Sequence, residues 1–194
     1  YGDHRDLHSF PTRRSSDLWI GIGLDSSERG NPPEKFARVY QRCKELGFRL
    51  VAHAGEEGPP SYVRDALDIL HAERIDHGVR AEEDPELLQQ LIDEQVPFTV
   101  CPLSNLKLCV VDRLDQHNLT RLLRQGAMVT VNSDDPAYFG GYVAQNYIAC
   151  AQALGLSRQE LGTLARNSIT ASFLPDAQKQ ALLNELDGYL AKAA

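Results

Sequence analysis

The 194-residue sequence has one methionine, one tryptophan and four cysteines, and aromatic residues make up only 7% of it. Cys43, Cys101, Cys109 and Cys150 are widely scattered, with no C-x-x-C pair among them. That spacing indicates neither a zinc-finger cage nor a dense disulfide framework, and buried free thiols become the default expectation. No apolar run approaches the roughly 18 residues needed to cross a bilayer, and the N-terminus lacks the charged-then-apolar order of a signal peptide. The expectation is therefore a cytoplasmic protein with no membrane partner. Positive charge is also scarce: 20 Lys and Arg stand against 27 Asp and Glu, a formal net charge of -7. Such a field repels a phosphate backbone, so a small-molecule partner is favoured over nucleic acid. What is present, 42% hydrophobic and 24% charged residues, suits one globular unit with a real core.

Residues 1–18, YGDHRDLHSFPTRRSSDL, are polar and rich in Arg and Ser, without helical or strand period, and the pattern changes abruptly at Trp19. From His8 to Leu18 the stretch resembles the conceptual translation of a common sequencing adapter. It is set aside as a non-native tail, and the folded domain is expected over 19–194. His4 and His8 are spaced like a metal pair, but nothing around them suggests the oriented shell that ligands need.

From Trp19 onward, short apolar runs alternate with amphipathic segments, which is βα repetition. Five strands are expected, at Trp19–Leu24, Arg49–Ala54, Arg74–His77, Phe98–Cys101 and Met128–Asn132, rich enough in Val, Ile and Phe for a buried parallel sheet. Between them, Phe36, Val39, Tyr40, Cys43 and Leu46 form a helical stripe that stops at Gly47. A second helix opens at Asp84-Pro85 and buries Leu87, Leu88, Leu91 and Ile92, and a third, marked by Leu119, Leu122 and Leu123, closes at Gly126. After Asp135 the pattern is helical, with a capping box at Ser157 and Glu160 and a terminal stripe of Leu182, Leu183, Leu186 and Leu190. Five βα units are too few to close an eight-stranded barrel, which takes about 250 residues. An open doubly wound sheet is the alternative, but Gly21-x-Gly23 lacks the third glycine of a phosphate fingerprint.

Ionisable residues sit just past the ends of consecutive strands: His53 and Glu56, then His77, then Asp134 and Asp135. In a parallel barrel these ends share one face, where catalytic residues from several strands meet. His53 and Asp134 offer donors suited to zinc, although two ligands alone leave the ion underheld. Glu56, three residues after His53, can relay protons beside the metal without binding it. Each residue also has a bland reading: a lone buried histidine is usually structural, and Asp134-Asp135-Pro136 can simply cap a helix. The coincidence at strand ends favours chemistry. His71 and His117, in helical or polar surroundings, are expected at the surface, and Gly140-Gly141 suits either a tight loop over the site or a plain turn.

At these residues the sequence resembles the adenosine/adenine deaminase family, through HAGE at His53–Glu56, RIDHG at Arg74–Gly78, CPLSN at Cys101–Asn105 and NSDDP at Asn132–Pro136. Ile22–Glu28 (IGLDSSE) and Asn132–Tyr142 (NSDDPAYFGGY) look like the adenine-specific branch. The resemblance implies an α/β fold, the C-terminal portion of a (β/α)8 TIM-type barrel with extra C-terminal helices. It implies deamination of adenine to hypoxanthine and ammonia by a zinc-activated water, with adenosine or a substituted adenine as the alternative substrate. Zinc ligation falls to His53 and Asp134, proton donation to Glu56, an electrostatic role beside the attacking water to His77, and purine binding to Asp135 and Ser26. The family's His-x-His pair has no counterpart from Trp19 onward. Two further histidine ligands are therefore expected from an N-terminal part, and this polypeptide alone is expected to be inactive or nearly so, a non-enzymatic truncated product being the rival reading. The oligomeric state is left open, a homo-oligomer included.

Overall fold

The structure, a computed structural model, describes residues 19–192. The adapter-like tail, with His4 and His8, lies outside the described residues. Five strands form one parallel sheet in sequential order: β1 (Gly21–Leu24), β2 (Arg49–Ala54), β3 (Arg74–His77), β4 (Phe98–Val100) and β5 (Val129–Val131). The helices are α1 (Ala37–Glu45), α2 (Pro60–Asp68), α3 (Pro85–Asp93), α4 (Pro102–Lys107), α5 (Leu119–Arg124), α6 (Pro136–Phe139), α7 (Val143–Leu154), α8 (Arg158–Thr170) and α9 (Asp176–Lys192). This is the expected α/β repetition, and the sheet is open at β1 and β5 among the described residues. No helix there is long and apolar enough to cross a membrane.

Alternation along the strands separates two faces. Leu50, Ala52 and Ala54 of β2, Ile75 of β3 and Phe98 and Val100 of β4 are buried in the same core as Val63, Ala66, Leu70, Leu87, Leu91 and Leu119 from the helical layer. Val51, His53 and Asp76 fall on the intervening positions and are only half-buried. The register pairs His53 with Asp76 and Asp76 with Thr99 as Cα partners. A row of polar side chains thus crosses the middle of the sheet, on the face away from the helices.

Local chemistry sets most of the helix ends. The Asp84 carboxylate accepts the Leu87 N–H at 3.1 Å, with Pro85 in the first turn of α3. Ser157 and Glu160 form the full capping box of α8. Two expected stripes are weaker than their sequence suggests. Of the α1 stripe only Tyr40 is fully buried, while Val39 and Leu46 are more than half exposed. The α9 stripe buries no residue completely; Leu190 instead packs on Gly162 of α8, where an added Cβ would stand 3.1 Å from its Cδ1. All four cysteines are free thiols, but only Cys101 and Cys150 are buried. Cys43 is half-buried and Cys109 exposed, contrary to expectation.

Candidate active site at the strand ends

The polar row ends in the expected residues. His53 Nδ1 stands 3.3 Å from Asp76 Oδ2, and Thr99 donates its hydroxyl to Asp76 Oδ1 at 2.5 Å. The His53 contact is an ion-pair approach rather than a well-aligned hydrogen bond. Burial pushes the Asp76 carboxyl up, but the His53 and Thr99 contacts outweigh it and leave the group below its ordinary value. The same pair raises His53 against the effect of its own burial. A carboxylate behind one imidazole nitrogen orients the other towards the open side, which is how metal-ligating histidines are commonly held.

The turn after β2 is built around a residue that the sequence reading left without a role. The buried Glu28 carboxylate accepts the backbone N–H groups of Gly55, Glu56 and Gly58 at 2.9, 2.8 and 2.9 Å. Gly55 has φ +75°, and a Cβ there would lie 2.7 Å from Val63 Cγ2, so both conformation and space require glycine. Glu28 thereby holds the backbone of Glu56. Glu28→Ala leaves three buried amides without an acceptor, at about 1–3 kcal/mol each. We expect a loss of several kcal/mol in the denaturant midpoint series, and a loss below about 1 kcal/mol would mean that water replaces the carboxylate.

Glu56 and His77 are both buried, and Asn105 joins them: its Nδ2 donates to Glu56 Oε1 at 2.6 Å and lies 3.3 Å from His77 Nδ1. Burial pushes the Glu56 carboxyl up to about 7, against the lowering effect of the Asn105 hydrogen bond. Burial, and then the nearby His53 charge, drive His77 well below its ordinary value, so it is neutral. The two imidazole rings meet edge to face with centroids 4.7 Å apart. His77 has φ +64°, Asp134 φ +57° and Ser26 φ +70°. Left-handed backbone at non-glycine residues is costly; it also occurs at His71, Gln95 and Cys109, away from these residues.

His117 is not at the surface: its ring is buried, accepts the Leu119 N–H on Nδ1 at 3.0 Å and meets Asn105 Oδ1 through Nε2 at 3.1 Å. Its place between two short helices disguises this, whereas His71 is exposed as expected. Burial lowers the His117 pKa from 6.5 to about 4. A histidine whose folded pKa is depressed adds stability above its unfolded pKa and loses it as pH falls through the folded one. Glu56 works in the opposite sense: its raised value stabilises the fold fully below about 4.5, and that contribution is gone above about 7. The His117 contribution should be lost between about pH 6.5 and 4 while that of Glu56 grows over much of the same window, so the wild type should lose stability relative to His117→Gln as the pH drops through it. Denaturant midpoints measured across this range check it, and an unchanged slope would contradict the assignment.

Asp134 follows β5, its Oδ1 accepting the Asp135 N–H at 2.8 Å and its Oδ2 lying 4.0 Å from His77 Nε2. Asp135 occupies the N-cap position of α6, but its exposed side chain makes no capping hydrogen bond. The capping alternative does not use that carboxylate. Ser26 and His53 line one cleft of about 510 Å³ together with Leu24, Asp25 and Glu28, a size suited to a small ligand. The Gly140-Gly141 loop is tight: Gly141, at φ +83°, packs against Leu103, and buried Asn146 accepts the Leu103 N–H while donating to the Gly141 carbonyl.

Two donor sets compete for a metal around Asp134. One atom from each of His77, Cys101 and Asp134 lie within 4.8 Å of one another, whereas the sequence points to His53 with Asp134. Burial, then the Asp134 carboxylate, raises the Cys101 thiol, whereas His53 has the Asp76 carboxylate 3.3 Å behind its Nδ1.

Comparison with known proteins places these features in context. The adenosine deaminase family model matches residues 3–189. An adenine deaminase of Hahella chejuensis is 59% identical over 172 residues, 89% of this chain and 52% of its own length. The crystal structure of the adenine deaminase of Arthrobacter aurescens superposes with a TM-score of 0.87 at 56% identity, covering 89% of this chain and 53% of that one. An amidohydrolase of Burkholderia ambifaria, solved with bound Zn, superposes at 0.80 with 28% identity, covering 89% of this chain and 50% of that one. The chain spans about half the length of the curated relatives it matches.

Proposed function

The chain belongs to the adenosine deaminase family, and from that membership we propose that the whole protein hydrolyses adenine to hypoxanthine and ammonia. One observation carries the chemistry: a buried carboxyl, Glu56, held up to about 7, stands beside a neutral buried histidine at the ends of parallel strands. A carboxyl that keeps its proton near neutral pH is a general acid. The names of the 56–63% identical relatives favour adenine as the substrate.

The residues fit zinc: an imidazole backed by a carboxylate, and a second carboxylate across the site, are ordinary donors for that ion. His53 and Asp134 would hold it, with the remaining ligands supplied by other parts of the whole protein. When bound, zinc supplies Lewis acidity that brings the pKa of water down to about 7. Glu56 gives its proton to purine N1 and makes C6 electrophilic. His77, neutral and with Nε2 facing Asp134, holds the water that adds to C6. The added water returns one hydrogen to the Glu56 carboxylate and passes the other to the amino group, so the C6–N6 bond breaks with ammonia as the leaving group and a C6 carbonyl remains. Asp135, its carboxyl unused by the α6 cap, meets the imidazole edge of the purine near N7, one of the two partners carrying the shared hydrogen, and Ser26 approaches the opposite edge of the ring.

The test is ammonia release by the zinc-loaded whole protein supplied with adenine, adenosine or an N6-substituted adenine. We expect the highest kcat/KM for adenine. A higher value for adenosine would overturn the substrate assignment, and no turnover of any of them would overturn the reaction.

A further inference from the structure

His117 touches none of the residues assigned to metal or purine, yet it controls one that touches both proton-handling groups. We propose that His117 is a positioning residue: by fixing the orientation of the Asn105 amide, it selects the Glu56 oxygen that carries the acidic proton and the His77 nitrogen that carries its hydrogen.

The inference starts at the backbone. The Leu119 N–H, at the start of α5, can only donate, and it points at His117 Nδ1 from 3.0 Å. Nδ1 is therefore a bare acceptor, and the neutral ring carries its hydrogen on Nε2. That Nε2–H lies 3.1 Å from the Asn105 side chain, which is fully buried and must present its carbonyl oxygen there. The two ends of an amide have nearly the same shape, so the hydrogen-bond network alone decides between them. A reversed amide would set donor against donor in a site with no water exposure. With the carbonyl end fixed, the NH2 group faces Glu56 Oε1 at 2.6 Å and His77 Nδ1 at 3.3 Å.

Two consequences reach the chemistry. Glu56 Oε1 is an acceptor, so the proton to be given away sits on Oε2. His77 Nδ1 lies 3.3 Å from the same NH2 group and 3.2 Å from Glu56 Oε1; the second NH2 hydrogen makes Nδ1 an acceptor and leaves the ring hydrogen on Nε2, the nitrogen 4.0 Å from Asp134 Oδ2, whereas the opposite tautomer would give its Nδ1–H to Oε1. One buried amide beyond the site thus sets the proton positions of both groups. A histidine is suited to this relay because its two nitrogens lie on opposite sides of one rigid ring and, when neutral, differ in role.

The proposal rests on the reading of Glu56 and His77 as proton-handling groups, and its test includes a readout that needs no turnover. In zinc-loaded whole protein labelled with ring-15N histidine, long-range nitrogen–proton spectra should show both His117 and His77 as Nε2–H tautomers, His117 being assigned by its loss in His117→Gln. A hydrogen on Nδ1 of His117 would overturn the proposal whatever the substrate is. His117→Gln keeps a carbonyl for Leu119 and an NH2 for Asn105, and should hold kcat close to wild type with His77 in one tautomer. His117→Leu should lower kcat about 10- to 100-fold at nearly unchanged KM, the scale of a misaligned catalytic group, and mix the His77 tautomers. Equal loss of kcat in both variants with an unaltered His77 spectrum would reduce His117 to packing and overturn the proposal. If the leucine variant fails to fold, the wild-type tautomers and the glutamine variant still decide.

Discussion

Replacing Glu56 with glutamine is expected to lower kcat for adenine by about 10²- to 10⁴-fold, the range that a positioned general acid contributes, with zinc content and KM near those of the wild type. Glutamine matches glutamate in size, and its carbonyl can still accept the Asn105 N–H that meets Oε1 at 2.6 Å. The turn stays in place as well, because Glu28 holds it through backbone amides and not through the Glu56 side chain. What disappears is the transferable proton. The deficit should therefore lie in kcat, measured in steady state alongside zinc content. A variant retaining kcat within a few-fold would remove Glu56 from the reaction, and one losing zinc would make it a ligand instead.

The second large effect concerns the metal. His53→Ala and Asp134→Ala should each weaken zinc binding by well over about 100-fold, because losing a direct donor costs more than the roughly 10–100-fold lost with a supporting partner. Asp76→Asn should fall within that lower range, since an amide is a weaker acceptor than the carboxylate 3.3 Å from His53 Nδ1 and does less to orient the ring and raise its basicity. Cys101→Ser should leave zinc affinity nearly unchanged, its thiol being held protonated by burial and by Asp134. Competition with a chromophoric chelator measures all four. Strong loss in Cys101→Ser with little in His53→Ala would favour the rival set of His77, Cys101 and Asp134.

Much of this was legible in the sequence because burial and caps leave local marks. β2 and β3 occur at the expected residues, Arg49–Ala54 and Arg74–His77, and the Asp84 and Ser157 caps form as read. β1, β4 and β5 are shorter than expected: Trp19 and Ile20 are exposed, β4 stops before Cys101, and Met128 and Asn132 flank β5, although the Met128 carbonyl still accepts the Phe98 N–H. α2 and α4 leave weak marks in the sequence, although each opens on a proline, because their apolar stripes are short and α4 lies inside the CPLSN motif. The strand-end residues were legible because a parallel sheet must bring those ends to one side.

The supporting residues were not legible, for a physical reason. Glu28 acts on backbone amides 27 to 30 positions away, and His117 acts on Asn105 across 12. Neither interaction leaves a period or a fixed spacing. An acidic residue soon after β1 was the available signal for Glu28, and a histidine two residues before a helix was the one for His117. Both are indistinguishable from surface residues until the fold closes over them.

The most direct test of the account is the position of the metal. Anomalous diffraction across the zinc edge from crystals of the whole protein should show one peak per chain at about 2.0–2.2 Å from His53 Nε2 and from an Asp134 carboxylate oxygen. A peak on Cys101 Sγ and His77, with His53 unligated, would contradict it.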